Sequence, residues 1–278
     1  MRMTRAIVLV WIGAAGLAAA WAGLGVQAHA AALDFEPDAE TIGAFFPQRA
    51  DSDAMKKRGF HATGLKPVYP ADAACFKADS LFAAMTRGDG SRRTSRFYAG
   101  YHGGLDIPAP EGTPIVAVAD GMVVQLGEGD SIGGIGVILQ HTPEETGFPV
   151  WIYTEYKHLR EMPALTVGQK VKMGEVIARV GKTGTVGSRA YGAAGHAHLH
   201  LTAWYGSGDN YRLGRILIPL DGRWMDPLAL FRGPPVASGE IAKLPEAAKN
   251  VPLSYKGADG RIAPASAKVV WPLVCEKM

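Results

Sequence analysis

The sequence predicts a mainly β protein: an antiparallel β-sheet core with an N-terminal and a C-terminal extension. Three observations predict it. The 278 residues include 35 glycines and 18 prolines, which cut the chain into short pieces. The apolar runs between them are brief and rich in β-forming residues, as closely spaced strands require. Strong helix signals are absent. A hydrophobic content of 47% is enough for a packed core and argues against disorder throughout. The length leaves room for one substantial domain with extensions.

Residues 1–30 stand apart from that core. Arg2 and Arg5 precede an uncharged stretch from Ala6 to Val26, and Ala28-His29-Ala30 has the small-residue pattern of a cleavage site. The stretch is also long enough to span a bilayer, which takes ~20 apolar residues. A cleaved signal peptide and a retained anchor both fit, and the A-x-A pattern favours cleavage. Either way the remainder is expected outside the cytoplasm, in the periplasm or cell envelope. Membrane association is expected only if the segment is kept. No twin arginine is present, so the chain is expected to cross unfolded and metal-free.

Residues 31–90 read as an ordered extension, with a short apolar stretch at Thr41–Phe46 and a helical turn or two over Asp79–Thr86. From residue 91 to about 232 the strand pattern takes over. Pro114–Ala119 is a buried-strand candidate, and Asp120-Gly121 is a hairpin signal leading into Met122–Leu126. Gly136–His141 is another strand. Val150–Leu159 is rich in β-formers but alternates less cleanly. Glycines 168 and 174 punctuate the way to Val176–Val180, and His198–Trp204 closes the series. Residues 233–278 hold six of the 18 prolines and read as an extended tail over the surface, anchored by Trp271 and Cys275.

Two cysteines, Cys75 and Cys275, flank the strand-rich region. In an oxidising compartment a single disulfide between them is expected, two buried thiols being the alternative. The net charge is +3, two of those charges lying in the export segment. So small an excess leaves no footprint for nucleic acid. Nothing in the sequence sets an oligomeric state.

Six of the eight histidines fall between positions 102 and 200. His196, His198 and His200 alternate with Ala197, Leu199 and Leu201. On a strand, a period of two puts three imidazoles on one face and the apolar side chains on the other. Such a face suits metal binding or catalysis; a solvated polar face is the blander alternative. His102-Gly103-Gly104-Leu105-Asp106 adds two more ligand types. The paired glycines disfavour a helix, so a turn entering a strand at Asp106-Ile107 fits better. Catalytic zinc sites keep three protein ligands and an open position, a count met by His102, Asp106 and one histidine of the cluster. His141 reads as structural. Gly181-Lys182-Thr183 resembles the end of a phosphate loop, but Val176 stands where that loop needs glycine.

The run from His102 to Ile115 and Ala119-Asp120-Gly121-Met122-Val123 together resemble the lysostaphin-type (LytM-like) zinc metallopeptidases of peptidoglycan. The resemblance continues through Tyr156-Lys157-His158-Leu159, Val167-Gly168-Gln169-Lys170-Val171 and Gly181-Lys182-Thr183-Gly184 to His198-Leu199-His200-Leu201, about half the chain. It implies one zinc ion per chain, with His102, Asp106 and His200 as ligands and His158 and His198 as catalytic histidines. It also implies a barrel-sandwich-like β core around a narrow groove, and a peptidoglycan peptide as substrate. The domains would then be residues 1–30 (signal or anchor), 31–90 (extension), 91–232 (peptidase) and 233–278 (tail). Three departures stand out: the extra His196, the long stretch between Gly184 and Gly195 with Arg189 and Tyr191, and the turn lengthened at Glu144–Pro149. A shifted His196–His198 pairing is formally open. Relatives that regulate other wall enzymes without catalysis supply the alternative function, but such proteins lack ligands that this sequence keeps. Two readings of residues 31–90 also remain open: restriction of the groove, or a packing belt.

Overall fold

The computed structural model describes residues 36–128, 133–185, 196–214 and 216–278. The expected export segment, Arg189 and Tyr191 lie outside the described residues. Nine strands position the site: β1 (Leu105–Pro108), β2 (Pro114–Val116), β3 (Gly121–Glu128), β4 (Ile135–His141), β5 (Trp151–Lys157), β6 (Lys170–Val171), β7 (Val176–Arg179), β8 (His198–Gly206) and β9 (Arg223–Met225). Seven of them form one antiparallel sheet in the order β9-β8-β5-β4-β3-β6, with β1 also paired to β8. One edge of β8 is therefore shared. Its first half pairs with β1 and its second half with β9, while β5 runs along the other edge.

The sheet is buried on both faces. Val123, Val137, Ile152 and Ala203 belong to one core cluster, and their neighbours Val124, Ile138, Tyr153 and Trp204 belong to another. Successive side chains of a strand point to opposite faces, so these clusters are the two sides of the sheet. A strand buried on both sides has no polar face to show, which is why Val150–Leu159 alternates poorly in the sequence.

Each extension helps cover a face. On one side, Phe45, Met55, Phe60 and Phe82 pack with Trp204 and Trp224. Phe45 and Met55 come from two short helices, Ala39–Phe45 and Ser52–Lys57, capped by Asp38 and Asp51. Helices this short carry too little periodicity to register in the sequence. On the other side, the tail does not lie over the surface as the sequence suggests. Val270, Trp271, Leu273 and Cys275 are fully buried, and Val116 N–H donates to the Pro272 carbonyl. The expected disulfide joins Cys75 to Cys275, beside the pairing of Glu276–Lys277 with Ala73–Ala74.

Three local expectations are corrected. Pro114–Ala119 and Met122–Leu126 do not form a hairpin. β2 pairs with β7, and β3 with β4 and β6. Asp120 instead accepts bonds from Met173 N–H and Lys172 Nζ, both at 2.8 Å, so the Asp-Gly pair carries the chain between two sheets. Asp79–Thr86 is not helical: Ser80 bridges to Asp106 in antiparallel fashion, and Ala83 has φ 61°. His198–Trp204 is not the last strand of the series, because β9 pairs with its far end.

His141 is structural, as its sequence setting suggests. It is fully buried, donates from Nδ1 to the Asp120 carbonyl at 2.6 Å, and faces the Thr154 hydroxyl with Nε2 at 2.8 Å. Burial lowers its pKa to about 4. The unfolded chain, with a pKa of about 6.5, therefore binds the proton more readily. The stability from neutral His141 is complete above pH 6.5 and drains away as pH falls towards 4, by roughly 3 kcal/mol. Denaturant titrations should show that the acid-side loss in His141→Gln is smaller by about this amount. Equal slopes in both proteins would refute it.

Candidate metal centre

The site begins with strand register. β8 pairs with β1 so that His200 stands directly opposite Asp106, and directly opposed residues point to the same face of a sheet. Leu199 and Leu201 point the other way and are fully buried, so the alternation seen in the sequence is the alternation of the strand. His102 lies one turn before β1. The two glycines that follow it allow close approach: a Cβ on Gly104 would sit 2.4 Å from the Leu201 carbonyl and 2.8 Å from His200 Nε2. Only glycine lets the loop pass so near the imidazole.

His102, Asp106 and His200 form the one His/Cys/Asp/Glu group among the described residues arranged to hold a metal ion, with ligand atoms all within 4.8 Å of one another. His102 Nε2 is 2.9 Å from Asp106 Oδ1 and 3.1 Å from His200 Nδ1, and His200 Nδ1 is 2.8 Å from the same carboxylate oxygen. The tautomer of His102 tests the fit. Its Nδ1 is 3.0 Å from the Leu81 carbonyl, which can only accept, so Nδ1 carries the hydrogen. In the neutral ring Nε2 is then a bare lone pair aimed at a carboxylate. Two acceptors so close repel unless a cation sits beside both, and a divalent ion satisfies all three atoms. The Leu81 and Thr202 contacts also orient the rings, as outer partners of metal-binding histidines do.

Protonation states agree with that use. Burial alone would raise the Asp106 pKa, but the imidazoles of His102 and His200 packed against it hold it well below the usual carboxylate range. Burial pushes His200 down to about 3, against the pull of Asp106. An ionised Asp106 and a neutral His200 are the forms that bind metal.

The other two sequence-predicted residues sit beside this trio. His158 follows β5 with φ 62°, a strained conformation for a residue other than glycine. That turn aims its ring into the cleft, 4.7 Å from the His198 ring and 5.8 Å from His200, centroid to centroid. Its Nδ1 donates to the Thr183 carbonyl at 2.8 Å. Burial, then the neighbouring histidines, keep its pKa well below the ordinary value. His198 donates from Nδ1 to the His196 carbonyl at 2.9 Å, and its Nε2 is 3.7 Å from Asp106 Oδ1. His196 lies outermost, 63% exposed, stacked on His198 with Asp79 at 3.9 Å.

All six residues line one cleft of ≈ 680 Å³, together with Arg87, Arg93, Phe97 and Tyr101. Sequence reasoning missed these last four. Arg93 donates to Asp106 Oδ2 at 2.9 Å, yet an arginine in a charged stretch carries no motif. Thr183, whose carbonyl fixes His158, lies in the Gly181–Gly184 element and was visible only as part of a resemblance.

Residues 100–211 match the model of peptidase family M23. Among curated proteins, the cell division protein DipM of Caulobacter vibrioides is 36% identical over 83 residues, covering 30% of this chain and 12% of its own; the match spans only a small part of that relative. Among solved structures, LytU is 29% identical, covering 40% of this chain and 68% of its own, with a TM-score of 0.32. The catalytic domain of the antimicrobial peptidase lysostaphin from Staphylococcus simulans is 27% identical, covering 40% and 71%, also with a TM-score of 0.32.

Proposed function

We propose that this chain, whose residues 100–211 belong to the LytM-like peptidase family M23, is an exported zinc endopeptidase of the cell wall. It would hydrolyse a peptide bond in the cross-links or stem peptides of peptidoglycan. The observation that carries the reading is the convergence of His102 Nε2 and His200 Nδ1 on one oxygen of Asp106. His102, Asp106 and His200 would hold one zinc ion, an ion suited to two imidazoles and a carboxylate. Bound there, zinc would supply Lewis-acid polarisation of the scissile carbonyl and make the attacking water easier to deprotonate.

The remaining chemistry falls to His158 and His198. With Nδ1–H committed to Thr183, His158 presents Nε2 to the cleft as a proton acceptor, and burial keeps that nitrogen unprotonated. We assign it the general-base role: it takes a proton from water as the water oxygen bonds to the carbonyl carbon. As the C–N bond breaks, the proton taken up by His158 passes to the leaving amine, which restores the neutral base. His198, with Nε2 3.7 Å from Asp106 Oδ1, faces the same cleft and in its protonated form would steady the developing negative charge. Export is supported by the pattern of residues 1–30 and by a disulfide suited to an oxidising compartment. No helix among the described residues is long and apolar enough to cross a membrane. We take residues 91–232 as the peptidase unit and the flanking segments as its shell.

The test is digestion of purified sacculi by the zinc-loaded protein, followed by mass spectrometry of the soluble fragments. The expected products carry a new amine and a new carboxylate at one peptide bond, with glycan bonds intact, and a chelator stops their release. Glycan cleavage, or metal uptake with no fragments released, would overturn the reading; the second result would mark a binding regulator.

A further inference from the structure

Resting on the metal centre proposed above, we propose that residues 79–93, which precede the family match, are a working part of that centre, with Arg93 and Ser80 as its positioning residues. The backbone is the first observation. Asp79 N–H donates to the Asp106 carbonyl and Asp106 N–H to the Ser80 carbonyl; Ala83 N–H donates to the His102 carbonyl and His102 N–H to the Ala84 carbonyl. Both ends of the His102–Asp106 loop are thus clamped by one segment. The segment then folds back on itself, with Thr86 bridging Arg92 and Arg93 N–H donating to the Met85 carbonyl. This return brings the Arg93 side chain over Asp106.

The side chains repeat the clamp. Arg93 Nη2 donates to Asp106 Oδ2 at 2.9 Å and to Ser80 Oγ at 2.8 Å, while its Nε reaches the Thr86 carbonyl at 3.3 Å. Ser80 Oγ, 2% exposed as a residue, lies 3.2 Å from His102 Nδ1. One guanidinium therefore occupies the outer oxygen of Asp106 and leaves Oδ1 alone facing the imidazoles, and it reaches the other side of His102 through a single hydroxyl. Asp106 is presented through one oxygen at a fixed angle. A positive charge this close also opposes a cation, so the net effect on affinity is a contest between orientation and repulsion. Three donated bonds, on a side chain only 18% exposed, favour orientation, because partners of this kind typically account for about 10–100-fold in metal affinity or activity.

The experiment measures zinc affinity by chelator competition, and the visible spectrum of the cobalt-substituted protein, for the parent, Arg93→Ala, Arg93→Lys and Ser80→Ala. Arg93→Ala should bind zinc about 10–100-fold more weakly with an altered cobalt spectrum. Arg93→Lys should recover part of the affinity, and Ser80→Ala should show a smaller loss, so a misfolded alanine variant does not decide the matter. Parent-like affinity and spectra in the Arg93 and Ser80 variants would overturn the proposal while leaving the metal centre standing. Faster hydrolysis by Arg93→Ala would overturn it too, marking the segment as an obstruction. A parent that takes up no zinc would overturn the centre itself.

Discussion

His200→Ala should yield a folded chain that holds no zinc and releases no wall peptides, whereas His158→Ala should keep its metal and lose about 10²–10⁴ in kcat. The separation follows from geometry. His200 Nδ1 is one of three converging ligand atoms, and two ligands are too few for a tight catalytic site. His158 is not among the three converging ligand residues, and its Nδ1 bonds to the Thr183 carbonyl instead. Metal analysis of the purified variants, beside single-turnover digestion of sacculi, reads the two effects separately. Digestion by metal-free His200→Ala would refute the ligand assignment. Parent-like kcat in His158→Ala would refute the base assignment and pass that role to His198.

Removing the Cys75–Cys275 bridge should cost the largest single increment of stability, about 2–5 kcal/mol, or roughly 5–15 °C in Tm for a chain of this size. The two cysteines are 200 residues apart, so the bridge constrains a very long loop in the unfolded chain. In the native state Cys275 is fully buried, its N–H donating to the Lys256 carbonyl. The bridge thus pins the beginning of the covering shell to its end. Thermal unfolding of the Cys75→Ala, Cys275→Ala double variant under non-reducing conditions measures the effect, and an unchanged Tm would show that the packed tail holds without its staple.

The histidine strand was legible because alternation survives where one face is polar: His198 and His200 on one side, Leu199 and Leu201 on the other. The His102–Asp106 turn was legible through its glycines. What stayed hidden depends on pairing between distant segments. That Asp106 stands opposite His200 is a matter of register, which no local pattern states. That Pro114–Val116 leaves its sequence neighbour to pair with Val176–Arg179 runs against the Asp-Gly signal, which marks a turn but not its partner. Arg93 offers neither period nor motif, and only the return of the segment after Arg87 brings it to the carboxylate. The tail's burial was masked by its prolines, which look like loop until Trp271 and Leu273 are seen inside the core.

The sheet with both faces covered bears on anyone who would move the histidine-bearing sheet into another protein. Family boundaries suggest a cassette of residues 100–211, but cutting there removes Phe45, Met55 and Phe60 from one side and Trp271 and Leu273 from the other. Tyr153, Trp204 and their neighbours would then meet water as a broad apolar surface, the kind that drives aggregation. A transplant that respects the physics takes the whole wrapping with it, from the first capped helix to the last cysteine.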